Sequence, residues 1–147
     1  MAFYAERSPF AFIADHPWAY PALESVHVLG IALLVGNLLA FELRVWGRAP
    51  ELPVRALARL SLSIAAVGFL LAAVSGLLMF ASQPGELLAN RAFTIKMSLV
   101  ACAGVNAAWF HARDGLRRLD GWARAQTALS LGLWIAVMIC GRWIAYR

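Results

Sequence analysis

Four stretches of the chain read as continuous apolar runs broken by short polar, charged or turn-forming clusters. The runs cover residues 22–41, 60–81, 92–110 and 127–146. About 20 apolar residues cross the hydrocarbon core of a bilayer as a helix, so each run predicts a membrane span. The stops are recognisable: Glu42-Leu43-Arg44, Gln83-Pro84-Gly85-Glu86, Arg113-Asp114 and the carboxy terminus. No run alternates with a period of two, which argues against barrel strands. Short connections make sequential helices antiparallel neighbours. The expected architecture is all-α, an integral membrane four-helix up-down-up-down bundle, formed by a single domain over residues 1–147.

Residues 1–21 lack a basic segment followed by an apolar core and a small-residue cleavage site, so they do not read as a signal peptide. Ser8-Pro9-Phe10-Ala11-Phe12-Ile13 combines a serine cap with proline at the first helical position. It predicts a short helix lying in the interface, with Trp18 and Tyr20 in the headgroup belt.

Composition supports the class. The 147 residues are 62% hydrophobic and 14% charged, against about 45–50% and 25% in soluble domains. Mean hydropathy is +0.70. The net charge of +5 comes almost entirely from arginines between the apolar runs. Anchoring to anionic headgroups explains it more simply than nucleic acid, which is not expected as a partner. Arg44, Arg48, Arg55 and Arg59 lie in the first loop, and Arg113, Arg117, Arg118 and Arg124 in the third. Arg7, Arg91, Lys96, Arg142 and Arg147 occupy the opposite side. The positive-inside rule then leaves both termini and the middle loop outside. Cys102 and Cys140 read as small core hydrophobes, with no disulfide framework or zinc spacing.

Polar residues inside the apolar runs are costly and indicate function. His27, Met79, Lys96 and Arg142, one from each span, fall at a similar outer level, and Glu24 lies on the His27 face. Together they outline a cavity at the outer end. Each has a bland alternative: snorkelling for Lys96 and Arg142, packing for Met79, a helix-start carboxylate for Glu24. His27 lies deeper, and Gly30 beside it lets another backbone or a bulky group approach. His111 closes the third span at the opposite end, too far away to share a metal with His27. It and His16 are candidates for a second site. Asn37, Asn106, Glu42 and Gln126 add polar groups deeper in or near the inner face, with interhelical hydrogen bonding as the ordinary reading of the asparagines. Gly68, Ala72, Ser75 and Gly76 form a small-residue stripe suited to bundle packing, a flat cofactor edge or a neighbouring protomer in a homo-oligomer.

Three segments carry a family resemblance spanning nearly the whole chain. They are Glu24-Ser25-Val26-His27-Val28-Leu29-Gly30 with Phe41-Glu42-Leu43-Arg44; Phe93-Thr94-Ile95-Lys96 with Asn106 and Phe110-His111; and Gly141-Arg142-Trp143-Ile144-Ala145-Tyr146. The chain resembles a family of small bacterial four-helix membrane proteins. More distantly it is similar to copper-resistance-D-like domains and to the HemJ-type membrane protoporphyrinogen oxidase. In that oxidase family a first-helix histidine and a third-helix lysine followed by Leu-Val are the functional pair, and b-type haem is bound. His27 and Lys96-Met97-Ser98-Leu99-Val100 match them. Gly36-Asn37 and Glu42-Leu43-Arg44 replace the oxidase's aromatic and arginine-rich continuation, so the resemblance implies haem binding more than that oxidation.

The resulting expectation is a haem b protein working in electron transfer with a quinol, porphyrin or redox-protein partner. His27 would be the axial ligand, Lys96 or Met79 the second ligand, with Lys96 alternatively a propionate partner; Arg142 would be a propionate counter-ion and Glu24 a further residue of the cofactor site. Two alternatives remain. One is copper handling through His27, Met79 and Met97; the other is a non-catalytic helical subunit.

Overall fold

The computed structural model describes residues 8–144 and residue 146, and every regular element among them is a helix. There are seven: α1 (Ala11–Asp15), α2 (Ala19–Val45), α3 (Val54–Ser82), α4 (Pro84–Leu88), α5 (Arg91–Ala112), α6 (Gly115–Arg118) and α7 (Gly121–Ile144). Among the described residues, α2, α3, α5 and α7 are the four long and apolar enough to cross a membrane.

These four helices outrun three of the apolar stretches at both ends. Apolar runs register solvent preference, whereas a helix continues while its backbone hydrogen bonds are satisfied. Thus α2 passes through Glu42 and Arg44 to Val45, and α3 starts directly after Pro53 rather than near residue 60. The fourth helix begins at Gly121, six residues before the run, because the Asp120 carboxylate accepts from the Ala123 backbone N–H at 2.9 Å and caps the exposed first turn. Its described residues run to Ile144. The turn cluster at Gln83 folds into α4 with Pro84 at its first position, where a missing N–H costs nothing.

The amino-terminal helix forms, and just ahead of it the Ser8 hydroxyl oxygen accepts from the Phe10 backbone N–H at 3.2 Å. Phe10 is the cap residue of α1 and makes no side-chain cap bond. The Ser8 hydroxyl also donates to the Ala81 carbonyl of α3, and Ile13 is buried. The short helix is therefore docked on α3. Trp18 stays exposed and Tyr20 half-buried.

Helix α2 packs along α3, α5 packs along α7, and α2 joins the two pairs through α7. Close backbone approach between α3 and α5 is sparse, although Phe80 and Phe93 stack with ring centres 5.5 Å apart. Contacts in each pair run in opposite chain directions. Gly30 meets Gly68 while Phe41 joins Ala58, and Asn106 bonds Gln126 while Lys96 reaches Gly141.

The densest core lies at the arginine-bearing end. Phe41, Val45, Ala58, Phe110 and Ala123 are buried there together, and Phe41 meets Phe110 edge to face at 6.1 Å. The Trp46 indole N–H donates to the Thr127 hydroxyl at 2.7 Å, tying α2 to α7. Elsewhere many large apolar side chains point outward, among them Val28, Leu60, Leu70, Leu77 and Val105, while Leu34 and Val137 stay buried. Cys102, expected in the core, is exposed on this outer surface, and Cys140 is half-buried. The reason is that apolar residues surround all four helices, so a thiol inside an apolar run need not face the bundle axis.

Outside the long apolar stretches, Arg113 links the start of α7 to the end of α5. Its guanidinium donates to Asp120 at 3.2 Å and to the Gln126 side-chain oxygen at 3.1 Å. The Ala123 N–H, and then Arg113, hold the Asp120 carboxyl below the usual carboxylate range. A lowered folded-state pKa stabilises the fold above the unfolded carboxylate range, and that stability is lost as pH falls through the folded value. Asp120→Asn is therefore expected to lower the thermal midpoint modestly at neutral pH. It should also flatten the acid limb of a midpoint-against-pH profile; an unchanged acid limb would contradict the assignment.

Candidate functional site

Two glycines set up the outer site. A Cβ on Gly30 would lie 2.6 Å from the Gly68 carbonyl oxygen, and one on Gly68 would lie 2.6 Å from the Gly30 oxygen. The helices α2 and α3 thus meet backbone to backbone, an approach that side chains at these positions would prevent. The small-residue stripe is consequently covered by α2, and Gly30 serves another backbone.

His27 stands one turn before this crossing and benefits directly from it. Its Nδ1 lies 2.8 Å from the Ala72 carbonyl oxygen and 3.2 Å from the Ser75 hydroxyl. A carbonyl only accepts, so the short contact requires the proton on Nδ1. The Ser75 hydroxyl spends its own hydrogen on the Leu71 carbonyl at 2.6 Å, leaving a lone pair toward the imidazole. Gly76 completes the pocket: a Cβ there would sit 3.2 Å from the imidazole Cε1. A neutral imidazole held in this way carries its free lone pair on Nε2. That is the arrangement in which histidines bind metals, one nitrogen anchored to a carbonyl and the other open.

Lys96 comes from α5 and is half-buried. Its ammonium lies 3.4 Å from the position a Gly141 Cβ would take, so α7 leaves room for it. Lys96 also falls within electrostatic reach of His27. The two residues come from helices distant in sequence, and electrostatic reach is the extent of their relation.

The other expected residues are placed differently. Glu24 is exposed, one turn before His27. Met79 is half-buried one turn beyond Ser75. Arg142 is exposed; it donates to the Tyr146 hydroxyl at 3.1 Å and lies 5.3 Å from that ring's centre. Glu24 and Arg142 thus lie on the exposed surface rather than among the groups that hold His27. His16 terminates α1, its Nδ1 accepting from the Trp18 N–H at 3.2 Å, which commits it to the turn. Among the described residues, no group of three or more His, Cys, Asp or Glu side chains gathers where it could hold a metal ion.

His111 leads to a second place. It is exposed at the end of α5 and lines a cavity of about 50 Å³ with Glu42, Asn106, Gln126, Thr127 and Ser130. Glu42, read from sequence as a stop signal and an inner-face polar group, is only 1% exposed. Its Oε2 and the Gln126 Nε2 are buried without a hydrogen-bond partner. The available signal was a carboxylate within reach of a helical span, but the burial depends on α5 and α7.

Comparison of the chain with protein-family models, curated proteins and solved structures finds no match.

Proposed function

We propose that the chain is a multi-pass protein of a bacterial inner membrane, an up-down-up-down bundle that binds b-type haem and passes electrons to or from a quinol or porphyrin-like partner. The observation carrying this reading is His27. Its Nδ1–H is anchored on the Ala72 carbonyl, and Lys96 stands within electrostatic reach. The donor set fits haem iron: an imidazole nitrogen free at Nε2, with an amine nearby as second ligand or propionate partner. The sparse backbone approach between α3 and α5 favours a flat group on that side of the bundle. Haem supplies one-electron chemistry when bound, while the protein sets its ligation, burial and partner access. Arg142, exposed near the end of α7, is suited to meeting a carboxylate at the interface.

The outward-facing apolar side chains support a lipid environment, since exposed apolar surface on this scale is unfavourable in water. A groove of about 540 Å³ at the other end, lined by Arg55, Arg59 and Arg117, suits anionic headgroups on the cytoplasmic side. Eight basic residues at that end against five at the opposite end support both termini being periplasmic.

The test is the absorption spectrum of detergent-purified protein expressed with adequate haem supply. A Soret band and a pyridine haemochrome of the b type are expected. A colourless protein, with or without bound copper, would overturn the haem reading. Lys96→Gln is expected to keep haem bound but shift its visible bands or reduction potential; wild-type values in both would remove Lys96 from the site.

A further inference from the structure

The cavity at the arginine-bearing end contains a carboxyl that the haem reading leaves unused. Glu42 projects from the last turns of α2, enclosed by Phe41, Phe110, Leu62 and the polar groups of α5 and α7. The Ser130 hydroxyl is its polar neighbour. Its Oε2 finds no partner, and Gln126 Nε2, facing the same cavity, finds none either.

The orientation of Gln126 follows from what surrounds it. Its side-chain oxygen accepts from Arg113, so its N–H donors are left for the cavity. The Gln126 backbone carbonyl is also engaged, accepting from the Asn106 side chain at 2.8 Å. A donor aimed beside a carboxyl suits a carboxylate oxygen or a water and opposes a metal cation. The cavity's size and polarity admit water.

The charges facing Glu42 are few. From α5 the cavity wall contributes His111, and from α3 it contributes Leu62. From α7 it contributes the uncharged Gln126, Thr127 and Ser130. Arg113 is one side chain removed, its guanidinium shared between Gln126 and Asp120. Among the described residues, no cation touches the carboxyl. An unpaired carboxylate in such surroundings is costly, whereas a protonated carboxyl is not. Gln126 and a water would lower that cost when the proton leaves.

We infer that Glu42 is a membrane-buried proton-binding carboxyl that exchanges its proton with the arginine-bearing end through this cavity. The step is simple acid–base exchange. A proton passes from water to a carboxylate oxygen and returns, and no other bond changes. His111, lining the cavity and exposed on its outer side, sits where the proton enters. This inference is independent of haem and concerns the opposite end of the bundle.

The full chain in lipid nanodiscs tests it with a hydrophobic carbodiimide, which adds to protonated carboxyls in apolar surroundings. Peptide mapping by mass spectrometry is expected to find the adduct on Glu42. Its yield should fall about tenfold per pH unit above the midpoint, as for a single titrating group. Glu42→Gln should remove it. Because that variant could fold poorly, infrared spectra of the unmodified protein supply a second reading. A carboxylic C=O band should shift in heavy water and vanish as pH rises. Absence of the Glu42 adduct, an adduct yield independent of pH, or a C=O band that neither shifts nor titrates would each overturn the assignment.

Discussion

His27→Ala is expected to abolish the Soret band while leaving the helical circular dichroism of the purified protein unchanged. The imidazole is the group whose second nitrogen is anchored, by the Ala72 carbonyl at 2.8 Å and the Ser75 hydroxyl at 3.2 Å. Alanine removes the free Nε2 and opens a space shaped for an imidazole beside Gly76. Adding imidazole to His27→Ala protein should therefore restore part of the band, which a merely structural histidine would not do. Ser75→Ala should retain haem, because the carbonyl still holds Nδ1, and should alter its reduction potential through the weakened anchor. An undiminished Soret band in His27→Ala would sink the ligand assignment outright.

The second large effect lies one turn deeper. Gly68→Leu is expected to lower the thermal midpoint sharply in detergent and to weaken haem retention in the same protein. Even the Cβ would fall 2.6 Å from the Gly30 oxygen and 2.7 Å from the Leu34 nitrogen. Both are backbone atoms of α2, so neither can rotate away. Overpacking in a close-packed core typically costs about 1–3 kcal/mol, and here relief requires moving whole helices apart. Separation would also draw His27 away from Ala72, since that bond crosses the same interface. Gly36→Ala is the matching control, because a Cβ there meets nothing within 4 Å. Equal midpoints for the Gly68 and Gly36 variants would show that the crossing is not as close as described.

Individual residues show how far the sequence could be read. The four long helices were visible because each contains an apolar run long enough to cross a membrane, a property of composition that each run has without help from its neighbours. A similar level for His27 and Lys96 was approachable through depth, since both stand near the start of their runs and the first and third runs of an up-down bundle point the same way. Depth does not give direction around a helix axis. Arg142 matches the level yet turns out to Tyr146, and Glu24 matches it yet remains exposed. With apolar residues on every side of these helices, no amphipathic stripe marks the face that packs inward. Glu42 shows the same gap from the other direction. A carboxylate followed by Leu43 and Arg44 looks like the end of a span, but here it is enclosed by Phe110, Gln126 and Ser130.

Acting alone, the sequence determined what depends on local composition: helical elements, their apolar length, the arginine asymmetry between the two ends, and the presence of a histidine and a lysine where charge is costly. Tertiary structure decided what depends on rotation and approach. It set Gly30 against Gly68, and that close crossing brings the Ala72 carbonyl within reach of His27. It also turned Glu42 inward toward α5 and α7 and Cys102 outward. The physical reason is that a helix satisfies its own backbone hydrogen bonds along one segment, whereas a site is assembled from side chains whose facing is settled only when backbones of different segments meet.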